Sequence, residues 1–230
     1  MHILILAGGF GTRLRTVVSD VPKPMAPIEN KPFLEYQIQE IRKYFPNTKI
    51  YLLTYYLSDI IEKYFINDKS IVIIKEDNPL GTGGSIKNAI NFLNLERDST
   101  LLIFNGDTYI KPNLSQVVNK NNIVIVGSFQ KTCNRYGTLK INEDKIIDFL
   151  EKDKYIKNSY INAGCYFFNN LDFFNKVNDD EFNIESKFKN HLLNNSIDIF
   201  KYNGIFIDIG IPEDYKKIIK YIKRTRNDID

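Results

Sequence analysis

The chain is poor in the residues that redox, zinc or nucleic-acid chemistry would need. It has only two histidines, His2 and His191, which excludes a histidine-ligated zinc site. Its only two cysteines, Cys133 and Cys165, stand in separate strand-like segments and are expected to be free core thiols of a cytoplasmic protein. A net charge of +3 over 230 residues is too weak to indicate a nucleic-acid partner. No apolar run approaches the length needed to span a bilayer, and the first residues lack a basic region followed by a signal core. Any metal is therefore expected to be a hard cation held by carboxylates and phosphates. No Gly-, Pro- or Ser-rich linker and no internal repeat divides the chain. One domain over residues 1–230 is expected, in two halves, 1–110 and 111–230, of which the second faces substrate.

What is present begins at the first strand. His2-Ile3-Leu4-Ile5-Leu6-Ala7 is a continuous apolar run, as a buried parallel strand requires. It runs into Gly8-Gly9-Phe10-Gly11-Thr12-Arg13-Leu14, and Pro22-Lys23-Pro24 follows. The glycines let backbone approach a flat or anionic ligand, and Arg13 and Lys23 add two positive charges. A strand that delivers its carboxyl end to such a loop marks a ligand site in α/β proteins, and a polyphosphate is the expected ligand. The loop is neither a Walker loop, which has Lys-Ser/Thr after its last glycine, nor a dinucleotide fingerprint, which has a third glycine at the position of Leu14.

The first half alternates strands with helices. The spacing predicts a helix over 32–45, a strand over 49–54, a helix capped by Ser58 and running to Phe65, a strand over 71–75, a helix from Ser85 to about Leu93, and a buried strand over 101–105. The second half has strands at 123–129, 137–141, 146–150 and 160–168 with short connections, so antiparallel pairing is expected there. Helical pieces near 171–175 and 183–193, a last strand over 205–209 and a helix from Pro212 to about Arg224 complete the pattern. The fold class is α/β: a Rossmann-like, mostly parallel sheet flanked by helices, with a small antiparallel portion facing substrate.

Two apolar strands end in aspartate, at Asn105-Gly106-Asp107 and at Phe206-Ile207-Asp208. Carboxylates on the same rim as the glycine loop could hold Mg²⁺, which takes one or two carboxylates together with phosphates and waters. Each aspartate alone would equally serve as a turn or cap residue. Glu76 ends a strand ahead of Leu80-Gly81-Thr82-Gly83-Gly84. A carboxylate there could accept the N1–H and N2–H₂ of guanine side by side, or the N3–H of a pyrimidine. The bland reading of the same stretch is a helix N-terminus with glycines for packing. The basic run from Lys216 to Arg226 reads as an amphipathic helix.

These motifs, with Glu151-Lys152, Asn162-Ala163-Gly164 and Asp208-Ile209-Gly210-Ile211-Pro212-Glu213-Asp214-Tyr215, resemble in order the signature of sugar-1-phosphate nucleotidylyltransferases from Ile3 to Tyr215. The segment from Arg15 to Pro27 is similar to the branch that acts on D-glycero-D-manno-heptose 1-phosphate with GTP. The resemblance implies a glycosyltransferase-A-like sheet and attack of a sugar 1-phosphate oxygen on the α-phosphorus of the nucleotide. It implies catalytic roles for Arg13 and Lys23, with Asp107 and Asp208 as Mg²⁺ ligands. Leu6, Ala7, Gly8, Gly9, Gly11, Thr12, Glu76, Gly81 and Thr82 would seat the nucleotide, and Gly137, Glu151, Lys152 and Asn162 the sugar phosphate. It further implies a cytoplasmic enzyme on small-molecule substrates, allows a homodimer, and gives no left-handed β-helix after Tyr215. The same chemistry on mannose or another hexose 1-phosphate, with GTP, UTP or CTP, is the nearest alternative. A glycosyltransferase would place an Asp-x-Asp motif on the rim, whereas the only such triplet is Asp228-Ile229-Asp230. A binding module that had lost catalysis would have lost Arg13, Lys23, Asp107 or Asp208.

Overall fold

The computed structural model describes residues 1–133, 135–150 and 156–227, with backbone alone for 226 and 227. In chain order the first half contains β1 (His2–Leu6), β2 (Pro27–Ile28), β3 (Lys31–Pro32), α1 (Phe33–Arg42), β4 (Ile50–Thr54), α2 (Ser58–Phe65), β5 (Ile71–Lys75), α3 (Gly81–Phe92), β6 (Leu101–Asn105) and β7 (Thr108–Ile110). The second half contains α4 (Leu114–Val117), β8 (Ile123–Thr132), β9 (Thr138–Asn142), β10 (Lys145–Leu150), β11 (Lys157–Phe168), α5 (Asp172–Asn175), α6 (Ile184–Leu192), β12 (Ile197–Tyr202), β13 (Phe206–Asp208) and α7 (Pro212–Asn227).

A nine-stranded mixed sheet runs in the order β5-β4-β1-β6-β11-β8-β12-β10-β9. Its first four strands are parallel, with Ile3 opposite both Ile50 and Leu102. β11 then runs antiparallel to both β6 and β8. β9 pairs with β10 and also with β11, so the second half of the sheet curls back on itself. The antiparallel half is thus as large as the parallel one. After β1 the chain winds outward through β4 and β5, then returns to the other side of β1 as β6. Such a reversal opens a crevice beyond the carboxyl ends of the strands.

Period-two burial sets the two faces. Ile3, Ile5 and Ala7 of the first strand and its loop pack with Leu34, Ile38, Ile61 and Val117 on one side. Leu4 faces the other side, with Ile86, Ile90, Phe173 and Phe188. A third cluster joins Leu14, Phe33, Tyr109, Ile207, Ile209, Ile218 and Ile222. It clamps α7 and the ribbon formed by β7 and β13 against the loop after β1, where the two aspartates and Arg13 lie.

Four expectations are corrected. Ser58 does not cap α2: the preceding Leu57 takes the cap position with φ 52°, and the Ser58 hydroxyl pairs with Thr54 Oγ1 at 2.7 Å in the core. α3 begins at Gly81, so the glycines form its first turn instead of preceding it. The strand at 206–208 joins β7 in a separate two-stranded ribbon, not the main sheet. Strands β7 and β12 were not expected from sequence; β12 has six residues and pairs parallel with β8.

Candidate active site

At the crevice, a cleft of about 330 Å³ is lined by Leu6, Gly8, Gly9, Lys23, Glu76, Gly81, Thr82 and Asp107, among others. A wider depression of about 710 Å³ around His191 and Asn195 contains none of the motif residues. The glycine loop is shaped by contacts behind it. Ala7 is buried and its amide donates to Leu53 O at 2.8 Å, so it supports the loop from the core side. A Cβ on Gly8 would stand 3.1 Å from Tyr55 N. Gly11 has φ +60° and presses on Lys23, whose Cβ would lie 2.9 Å from a side chain there. That contact directs Lys23 into the site, while Thr12 stays exposed.

Lys23 and the two aspartates form the charged centre. Lys23 Nζ donates to Asp107 Oδ2 at 2.6 Å and to Asp208 Oδ1 at 3.4 Å. The ribbon explains the meeting of residues a hundred positions apart: Asp208 is registered opposite Thr108, and Ile209 N bonds Asp107 O at 3.0 Å. Burial, then the neighbouring Asp107, push the Asp208 carboxyl above its ordinary pKa, against the pull of Lys23 and the Gly210 amide. A Cβ on Gly210 would lie 3.3 Å from an Arg13 guanidinium nitrogen and 3.2 Å from Lys23 Nζ, so Arg13 stands at the same rim.

Gly106 brings β6 against β1, its amide donating to Leu6 O at 2.9 Å. A Cβ there would fall 2.6 Å from that carbonyl oxygen. Gly106→Ala is therefore expected to cost about 1–3 kcal/mol of stability through overpacking. Urea unfolding checks this, and an unchanged midpoint would mean that the two strands part without cost.

Glu76 lies at the other end of the cleft. It is 6% exposed, its Oε1 bonds no described residue, and its Oε2 accepts a long 3.4 Å bond from Leu80 N. Burial pushes its carboxyl above the ordinary range, offset in part by Ser85 and the Leu80 amide. The helix that follows is not a free anion site: Gly83 N and Gly84 N both donate to Phe182 O, at 2.9 and 3.2 Å. Of the two readings of this glycine run, packing accounts for Gly83 and Gly84, while Gly81 and Thr82 line the cleft.

The sugar-phosphate residues are less gathered. Asn162 holds the bulge of β11, accepting from Gly164 N at 3.0 Å and donating to the Tyr166 hydroxyl at 2.9 Å. Tyr166 in turn donates to Glu185, whose other oxygen accepts from Thr82 Oγ1 at 3.2 Å. Gly137 lies beside Leu150 and does not line the cleft. Glu151 and Lys152 fall outside the described residues.

The profile of the family described as nucleotidyl transferase matches residues 2–224. The chain belongs to that family. A nucleotidyl transferase from Aneurinibacillus thermoaerophilus, D-glycero-alpha-D-manno-heptose 1-phosphate guanylyltransferase, is 36% identical over 97% of this chain and 99% of its own length. The protein of the same name from Campylobacter jejuni is 33% identical over 94% and 97%. Among solved structures, HddC from Yersinia pseudotuberculosis complexed with GMP-PN has a TM-score of 0.81 and 32% identity, covering 96% of this chain and 100% of that one. The sheet is accordingly the glycosyltransferase-A-like sheet of nucleotidyl transferases.

Two residues beside the charged centre carried no readable signal in the sequence. Arg135 pairs with the buried Asp214, which burial would raise but Lys217 and Arg135 hold below the ordinary carboxylate range. Tyr136 packs edge-on against Phe206, and burial and then Asp208 raise its phenol well above the usual value. The dipeptide Tyr136-Gly137 carried the only signal, and a lone Tyr-Gly is too common to read.

Proposed function

We propose that the chain transfers GMP from GTP to D-glycero-α-D-manno-heptose 1-phosphate, releasing pyrophosphate and GDP-heptose. The observation that carries the base is Glu76, a buried carboxylate on the cleft wall with an oxygen free for donors. Guanine presents N1–H and N2–H₂ side by side, a match for one carboxylate. The names of two relatives similar over nearly their full length support the sugar.

In the reaction a phosphate oxygen of the sugar bonds to the α-phosphorus as the bond from that phosphorus to the bridging oxygen of pyrophosphate breaks. Such a displacement depends on positioning and charge neutralisation, with no side-chain nucleophile. Arg13, exposed at the rim, would hold the leaving phosphates and stabilise the charge that grows on them. Lys23 would neutralise the α-phosphate and the incoming sugar phosphate. The adjacent Asp107 and Asp208 carboxylates are hard oxygen donors, and with phosphate oxygens they suit Mg²⁺. Bound there, Mg²⁺ would offset phosphate charge during the displacement. We read the first half of the chain as seating the nucleotide and the second half, with Asn162, Glu151 and Lys152, as facing the sugar phosphate. No helix among the described residues is long and apolar enough to cross a membrane.

The test is pyrophosphate release with Mg²⁺, crossing GTP, ATP, CTP and UTP against heptose, mannose and glucose 1-phosphates. Release with GTP and the heptose phosphate alone is the expected result. Release with a different pair would overturn the substrate while leaving the chemistry. No release from any pair, by folded protein that binds nucleotide, would overturn the catalytic reading.

A further inference from the structure

Gln37 is a buried glutamine in the middle of α1, 5% exposed, among Leu34, Ile38 and Ile41. Its amide nitrogen donates to the main-chain oxygens of Asn105 at 2.8 Å and Thr108 at 3.0 Å. Those carbonyls bracket Gly106-Asp107, the turn that carries the carboxylate nearer to Lys23. Both partners are obligate acceptors, so chemistry decides which end of the amide is nitrogen. The other end, Oε1, is buried and bonds no described residue. A side chain present only to fill this space would be better as leucine or methionine, which strand no carbonyl in an apolar setting. The two donated bonds are what the amide adds.

The flanks also pair in their strands, Asn105 opposite Leu6 and Thr108 opposite Asp208, and the middle is held by Gly106 N on Leu6 O and Ile209 N on Asp107 O. Gln37 ties the two flanks together from the helix beneath. We propose that Gln37 is a positioning residue for the transfer reaction, closing the 105–108 turn so that Asp107 faces Lys23 and Asp208. Both of its bonds fall on the turn that carries Asp107, so its effect is expected at the charged centre. The consequence for rate rests on the transferase reading above, whereas the consequence for the turn does not.

Two variants of the full chain separate donation from packing. Gln37→Met keeps the length of the side chain and removes every donor. Gln37→Glu keeps the shape and the oxygens and removes the amide hydrogens. Each is measured for steady-state pyrophosphate release and for hydrogen exchange of the backbone over 105–108. Both variants are expected to lower kcat by about 10–100-fold, because a small displacement at a reacting centre is costly. KM for GTP should stay within about twofold, since base binding is untouched, and exchange over 105–108 should speed up while the rest of the sheet keeps its protection. An unchanged kcat, or a loss confined to KM, overturns the proposal, as does wild-type exchange at the turn in a variant that unfolds at the wild-type temperature. If the wild type itself releases no pyrophosphate, the transferase reading fails, and the exchange at the turn alone decides the role of Gln37.

Discussion

Asp107→Asn is expected to lower turnover by about 10²–10³-fold while the protein stays folded, the scale seen when one preorganised electrostatic group is removed from a reacting centre. The side chain sits 2.6 Å from Lys23 and beside Asp208, and a carboxamide oxygen still accepts the Lys23 bond. Folding is therefore spared, and the loss of one negative charge relieves the repulsion that raises the Asp208 carboxyl. The chemistry is affected for the same reason: a neutral amide is a poor ligand for a hard divalent cation. The measurement is pyrophosphate release over a Mg²⁺ series, with thermal unfolding of the variant alongside. A normal rate with a normal Mg²⁺ requirement would remove Asp107 from the metal-holding role and leave it a structural partner of Lys23.

Glu76→Gln is expected to cut kcat/KM for GTP by about 10²–10³-fold, mostly through KM. Hydrogen bonds to a charged group contribute about 1.5–3 kcal/mol each, and guanine would lose the charge on two of them. A base contact far from the reacting phosphorus acts on ground state and transition state alike, which is why the loss falls on KM. Stability should move the other way. Burial raises the folded-state pKa of Glu76 above its unfolded value. For an acid so shifted, the folded state binds the proton more tightly. Stability is then highest below the ordinary glutamate pKa and falls as the pH rises through the raised value. The glutamine variant escapes this loss, and its Tm should exceed that of the wild type near pH 7, with the gap closing toward pH 4. A variant that keeps wild-type use of GTP would end the role of Glu76 as base reader; a Tm gap that widened on acidification would contradict the cause given for the shift.

Both variants bear on residues that could be named before any coordinates, and that reflects how the site is built. Arg13, Lys23, Glu76 and Asp107 each end or follow a strand of strong apolar pattern, so chain position alone puts them at one edge of a parallel sheet. Asp208 was named by the same rule but reaches the site differently, through a ribbon with β7 outside the main sheet. Gln37 and Arg135 were invisible. A polar residue on an apolar helix face has no periodic signal of its own, and its worth depends on which carbonyls the fold places above it. Ser58 shows the converse: a residue type that favours helix caps was turned inward to Thr54, because burial with a hydroxyl partner was available.

The sequence by itself determined the alternation of strands and helices in the first half, the glycine loop at the end of β1 and the charged residues beside it. These depend on local periodicity, on the backbone freedom of glycine and on the chemistry of single side chains, all of which act over a few residues. The tertiary structure alone decided that Lys23 lies between Asp107 and Asp208, that Glu76 is buried with one oxygen unpartnered among the described residues, and that a helix glutamine donates to both flanks of the 105–108 turn. The Lys23 and Gln37 contacts join residues 68 to 185 positions apart, and such pairings are selected by the packing of whole layers against one another, not by the residues on either side.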